Sequence, residues 1–245
     1  MKLSGYLIAG DGHKVYYDHY KSNHKKVIII AHGFFSSKQS VLLKKLAVWL
    51  NDEYDCIVFD FRGHGQSKGL FYWTSKEYLD LLAVTEFSGQ HYKKIGLIGF
   101  SLGAATSIIT ASKTILINSI IAISAPIEFG KIDYRFWNLD VKNDILYSFF
   151  DDGKYGKGVR PGPFWHKKEK PVDIVKKLEI PIFYIHGETD TTIHNYHSKE
   201  LYQQTASIKK RVSIIKDGPH AEYLFRENKD EILRLIYDWF HETLK

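Results

Sequence analysis

One cysteine and one methionine stand in a chain of 245 residues. A lone cysteine, Cys56, closes no internal disulfide, which argues against a disulfide-stapled extracellular scaffold and for a reducing compartment. The sequence also lacks an apolar run long enough to cross a bilayer, a repeat of solenoid period and a low-complexity tract. Its first ten residues contain one lysine, but their apolar part is too short and broken for a secretory signal. The expectation is one cytoplasmic domain over residues 1–245, without stable membrane insertion. A nucleic-acid-binding motif is missing too. The net charge of +6 comes with lysine pairs scattered through the chain, such as Lys25-Lys26, Lys93-Lys94 and Lys209-Lys210. Beside predicted strands and helices these read as solvated faces and strand gatekeepers. No nucleic-acid partner is expected, and self-association into a homodimer stays open.

What is present is an alternation of strands and helices. Residues 3–8 and 14–20 read as two strands joined by Gly10-Asp11-Gly12. Val27-Ile28-Ile29-Ile30-Ala31 is a continuous apolar run, hence a central strand, and it ends in His32-Gly33-Phe34-Phe35. A helix follows, with an apolar face at Val41, Leu42, Leu46, Trp49 and Leu50. Further strands are read at 56–59, from Lys94 into the turn at Ser101, at 119–123, at 212–215 and where the sheet resumes over 182–190, and helices at 75–90, after Ser101, at 195–206 and at the carboxyl terminus. Such alternation predicts right-handed crossovers and a mainly parallel sheet with function at the strands' carboxyl ends. From about 127 to 177 the period fails. Turn residues at 152–158 and many aromatics there predict an insertion of short helices over the sheet's edge.

The chemistry centres on Gly99-Phe100-Ser101-Leu102-Gly103. A buried strand runs into this pentapeptide and a small-residue helix leaves it. The serine is therefore expected in a strained turn at a helix amino end, where free N–H groups favour an anion. A serine hydroxyl needs a base, and a histidine base needs a carboxylate to fix its tautomer. Asp190 and His220 supply these at later strand ends. Glu188 is a rival for the acid, and Asp217 reads as a turn residue. His32 and His64 are expected to make structural hydrogen bonds. His186, His194 and His197 are close in sequence, but no second shell for a metal is identifiable, and no metal is expected.

In the order Ser101, Asp190, His220, and with His32-Gly33-Phe34, Asp60-Phe61-Arg62-Gly63-His64-Gly65-Gln66-Ser67, His186-Gly187-Glu188-Thr189-Asp190 and Gly218-Pro219-His220, the chain resembles an α/β-hydrolase-fold serine hydrolase over nearly its whole length. The resemblance implies a mostly parallel central sheet with helices on both faces and a small lid insertion at about 127–177. It implies an oxyanion hole from the backbone N–H groups of Phe34 and Leu102, and no cofactor. Two features depart from the pattern. A single glycine precedes Phe34, as in enzymes that favour esters of unhindered alcohols, and Thr192-Ile193-His194 stands where Val-Pro is usual. The arrangement is similar to small lid-bearing microbial carboxylesterases, including feruloyl and cinnamoyl esterases. Phe35, Tyr72 and Trp73 on catalytic-edge loops, with Trp137 and Trp165 in the insertion, are expected to shape a pocket for an apolar or aromatic acyl group of a small-molecule ester. The same machinery would serve a thioesterase, a lysophospholipase or an aminopeptidase. The last needs a lid carboxylate for an ammonium group, for which Glu128, Asp133, Asp140, Asp144, Asp151 and Asp152 are available. A non-catalytic binding protein of this fold is the rival of another class.

Overall fold

The structure is a computed structural model that describes residues 1–132 and 159–245. Its described residues form an eight-stranded sheet in the order β1-β2-β4-β3-β5-β6-β7-β8. β1 (Lys2–Ile8) and β2 (Lys14–Tyr20) make an antiparallel hairpin, and β2 also runs antiparallel to β4 (Asp55–Phe59). The remaining pairs, from β4 through β3 (Lys26–Ala31), β5 (Lys94–Phe100), β6 (Ser119–Ile123) and β7 (Ile182–Gly187) to β8 (Lys210–Ile215), are parallel. β4 lies on one side of β3 and β5 on the other, so the chain changes direction across the sheet beside β3. In an open α/β sheet that place opens a crevice at the strands' carboxyl ends.

The two-residue side-chain period sorts the inner strands into two cores. Val27, Ile29, Ile57, Leu97, Ile120 and Ile182 face one side, where α2 (Glu77–Gly89), α3 (Leu102–Ala111) and α5 (Tyr196–Gln204) cover them with Leu81, Val84, Ile108 and Leu201. Ile28, Ile30, Val58, Phe100, Ile121 and Phe183 face the other side. There α1 (Val41–Leu50), α6 (Ala221–Glu227) and α7 (Lys229–Thr243) cover them with Leu46, Phe225, Ile236, Trp239 and Phe240. A strand buried on both faces must be apolar at every position, which is why β3 reads as an unbroken run.

Two local expectations need correcting. The face that α1 buries is Leu43, Leu46, Ala47 and Leu50, and Val41 is 60% exposed. The helix is therefore turned about one position from the face read in the sequence. The carboxyl-terminal helix is also preceded by a separate α6, which breaks at Asn228 with φ −119° and ψ 37°.

Of the expected insertion, residues 127–132 and 159–177 are described. They contain a 3-10 turn at Phe129–Lys131, the one-turn α4 (Pro171–Ile174) and a further 3-10 turn at Val175–Lys177. The returning chain is zipped onto the loop after β4. Arg160 N–H donates to the Gly63 carbonyl at 2.7 Å, Phe71 N–H to the Arg160 carbonyl at 2.9 Å, and Gly162 N–H to the Phe71 carbonyl at 2.8 Å.

Candidate active site

The site begins at a residue that the backbone strains. Ser101 has φ 53°, in the left-handed region that side-chain-bearing residues avoid. Strand and helix close around it because Gly99 and Gly103 lack side chains. A Cβ on Gly99 would lie 2.6 Å from Ala104 Cα, and one on Gly103 would lie 2.4 Å from the carbonyl oxygens of Ala31 and His32. The Ser101 N–H donates to the Ile123 carbonyl at 2.8 Å, which ties the turn to β6. Ser101 stands at the amino end of α3, which begins at Leu102, and the opening amides of a helix have no partner within it.

Two residues from distant parts of the chain meet this serine. His220, in the loop before α6, places Nε2 3.0 Å from Ser101 Oγ and Nδ1 2.7 Å from Asp190 Oδ2. A carboxylate only accepts, so Nδ1 carries the proton and Nε2 is free to accept from the hydroxyl. Asp190 follows β7. Its Oδ1 accepts N–H groups from Thr192 at 3.0 Å and Ile193 at 2.9 Å. Burial pushes this carboxyl up. The charge of His220 and the hydrogen bonds from His186 and His220 outweigh that and hold it well below the usual carboxylate range. The rival acid, Glu188, turns the other way, with Oε2 accepting the Asp217 N–H at 3.2 Å.

The His220 loop is built from strained backbone and tight contacts. Asp217, Ala221 and, across from them, Ser124 have φ of 53°, 43° and 51°. Ser124 Oγ accepts the Ala221 N–H at 3.0 Å, next to His220. Thr189 N–H donates to the Gly218 carbonyl at 3.0 Å. Sequence reasoning missed Ser124. Its signal was the Ser-Ala-Pro that closes a buried strand, read there as a strand end and nothing more.

Beside the serine, Gly33 brings the 33–34 peptide close. A Cβ there would lie 3.5 Å from Ser101 Cβ. His32 Nδ1–H donates to the Gly33 carbonyl at 2.7 Å, and His32 Nε2 accepts the Phe61 N–H at 3.1 Å. This bond fixes the plane of the peptide whose N–H belongs to Phe34. His64 holds the next carbonyl, with Nε2 2.5 Å from the Phe34 oxygen. Both histidines are enclosed. Burial pushes His32 well below the usual histidine range and His64 down to about 4, against a weaker upward pull from the Phe34 and Arg62 carbonyls on His64. Asp60 anchors the same loops by accepting the N–H groups of Lys38 at 2.8 Å and Gln66 at 2.9 Å, and burial pushes its carboxyl up to about 6. Arg62 forks between Asp80 and Asp11, each at 2.7 Å.

The aromatic residues divide. Phe34 and Trp73 stack with centroids 4.8 Å apart, and the Trp73 ring meets Phe129 at 5.2 Å. They flank a buried apolar cluster of Phe71, Leu102, Ile132 and Ile193, which includes the neighbour of Ser101 and a residue of the loop after Asp190. Trp73 Nε1–H donates to the Gly162 carbonyl at 2.8 Å. Phe35 packs on Phe34 at 4.6 Å, and Tyr72 lies between His166 and the Lys76 ammonium, away from this cluster. Trp165 is 74% exposed and pairs with Phe164 at 5.5 Å. Trp137 lies outside the described residues, as do Asp133, Asp140, Asp144, Asp151 and Asp152. Glu128 is paired with Lys170 at 2.5 Å and Lys131 at 3.5 Å, and its carboxyl is held low by Lys170. Among the described residues no three histidine, cysteine or acidic side chains converge as a metal site. His197 Nδ1 accepts the Ile127 N–H at 3.1 Å.

Comparison with known proteins agrees with this architecture. Residues 26–151 match the family described as alpha/beta hydrolase fold. An uncharacterised hydrolase of Bacillus subtilis, YugF, is 32% identical over 102 residues, which cover 41% of this chain and 37% of that protein. The uncharacterised protein YqkD of the same organism is 23% identical over 223 residues, covering 86% of this chain and 72% of YqkD. The Pyrococcus furiosus esterase Pf2001 superposes over all of this chain and 94% of its own, with TM-score 0.82 and 23% identity. A thermophilic esterase from Thermogutta terrifontis, with malate bound, gives TM-score 0.74 at 15% identity over 99% of this chain and 100% of its own.

Proposed function

The chain belongs to the α/β-hydrolase fold family, and from that premise we propose that it is a serine hydrolase of carboxylic esters with an apolar or aromatic acyl group. The observation that carries the proposal is the unbroken line from Ser101 Oγ through His220 to Asp190 Oδ2, with bonds of 3.0 and 2.7 Å in one consistent tautomer. In this reading Ser101 Oγ attacks the ester carbonyl carbon while its proton passes to His220 Nε2. The carbonyl oxygen becomes an oxyanion facing the N–H groups of Phe34 and Leu102, where the amino end of α3 favours negative charge. Asp190 steadies the imidazolium. Collapse breaks the bond to the alcohol, and His220 gives its proton to the leaving oxygen. Water, deprotonated by His220, then releases the acid and regenerates Ser101. The apolar side chains beside Leu102 support an acyl group without charge. The pairing of Glu128 with two lysines takes one candidate anchor for a substrate ammonium out of use.

The test is a p-nitrophenyl ester series from acetyl to long acyl, an aryl-acyl ester and an aminoacyl anilide, with a fluorophosphonate probe. Ester turnover and a probe adduct on Ser101, both lost in a folded Ser101→Ala variant, are expected. Full turnover in that variant refutes the mechanism. Anilide cleavage exceeding ester cleavage reassigns the substrate class.

A further inference from the structure

His186, at the end of β7, has no step in the reaction above, yet it is fully buried beside the acid. Its Nε2 lies 2.5 Å from the Ile193 carbonyl oxygen and 3.2 Å from Asp190 Oδ2. Both oxygens only accept, so Nε2 carries a proton; it is donated to the Ile193 carbonyl, with Asp190 Oδ2 beside it. On the other side of the ring, Nδ1 lies 2.7 Å from Ser198 Oγ in α5. In the neutral ring that nitrogen accepts and the hydroxyl donates. Ile193 and Ser198 together select one tautomer, and that tautomer sets the N–H edge of the ring beside the acid.

The two oxygens of Asp190 are thereby used differently. Oδ1 is occupied by the N–H groups of Thr192 and Ile193, whereas Oδ2 lies between two imidazoles, His220 and His186. The other histidines close to His186 in the sequence are His194 and His197. His197 is turned to the Ile127 N–H and pushed down to about 4 by burial. Among the described residues, neither donates to Asp190 in the structure.

We propose that His186 is a positioning residue of the site, acting through Asp190: its N–H holds the carboxylate oriented to His220 and draws charge from the oxygen that His220 uses. The proposal rests on the serine-hydrolase reading above. An oxygen that already faces a second N–H is a weaker partner for the His220 imidazolium. Deleting the His186 donor leaves Oδ2 more basic, stabilises protonated His220 and moves the loss of activity on acidification to higher pH. Ser198 acts one step further out by keeping the His186 proton on Nε2.

The experiment compares wild type, His186→Leu, His186→Gln and Ser198→Ala. It follows kcat/KM on a p-nitrophenyl ester between pH 5 and 9 together with fluorophosphonate labelling. For His186→Leu we expect the acid limb to rise by about half a unit to one unit, and kcat to fall roughly tenfold with KM within about twofold. The glutamine amide can donate from near the same place, so His186→Gln should return the limb most of the way. Ser198→Ala should shift it in the same direction by less. A His186→Leu variant that melts earlier but keeps the wild-type limb and kcat overturns the proposal and leaves a packing role. A glutamine variant with the leucine variant's limb overturns the donor role. Should the leucine variant not fold, an unmoved limb in Ser198→Ala decides against the proposal. Wild type that neither cleaves esters nor labels at Ser101 refutes the serine-hydrolase reading itself. Labelled wild type with unmoved limbs refutes only the role of His186.

Discussion

Replacing Gly187 with alanine is expected to disable the site from a residue that touches no substrate. Gly187 ends β7, three residues before Asp190. A Cβ built on it would lie 2.2 Å from the carbonyl oxygens of Gly218 and Pro219 and 2.6 Å from the carbonyl carbon of Gly218. These are backbone atoms, so no rotamer change relieves the overlap. Ordinary carbon contacts begin near 3.5 Å, and the loop must withdraw by roughly 1 Å. The loop carries His220 directly after Pro219, and a 3.0 Å bond joins its Nε2 to Ser101 Oγ. A retreat of that size takes the pair out of hydrogen-bond range, and a misplacement of about 1 Å costs on the order of a hundredfold in rate. Overpacking adds about 1–3 kcal/mol of destabilisation. In a chain of this length that lowers Tm by roughly 2–4 °C per kcal/mol. The assay is kcat on p-nitrophenyl butyrate, with Tm followed by circular dichroism. Gly130→Ala serves as the control, since a Cβ there meets nothing within 4 Å. Gly187→Ala with kcat within twofold of wild type and an unchanged Tm would refute the argument that this contact sets the position of His220.

Two further outcomes follow from burial. His64 is fully buried and pushed from 6.5 down to about 4, so the unfolded chain takes up its proton first. Its stabilising contribution is complete above pH 6.5 and is lost as pH falls toward 4, by about 3 kcal/mol in all. Urea midpoints at pH 7 and pH 4.5 should differ less for His64→Gln than for wild type, and equal differences would exclude this source. Cys56 is fully buried, and burial pushes its thiol well above the usual range. It should therefore resist a disulfide reagent at pH 8 until the protein is denatured. Reaction within minutes in the native state would show that β4 opens far more readily than its place in the sheet implies.

Much of the architecture was legible because its causes are local. After a leading lysine, β3 and β5 are buried on both faces and so consist of apolar residues and glycine. The turn at Ser101 needs glycines at 99 and 103 for close approach, and the order Ser101, Asp190, His220 can be read directly. The alternation of strand and helix patterns likewise determined an α/β fold with a mainly parallel sheet. What the sequence could not carry is which partners meet. Ser101 and His220 are 119 residues apart, and their 3.0 Å contact depends on β5, β6 and β7 lying side by side. The same long-range pairing turns His197, one of three histidines grouped by sequence proximity, toward Ile127. It makes Ser124 the support of the His220 loop. It also leaves Trp165 facing solvent while Trp73 stacks on Phe34. Side-chain period and turn chemistry are properties of a few neighbouring residues. Tautomer, hydrogen-bond partner and exposure belong to groups brought together from distant segments, and only the packed sheet decides them.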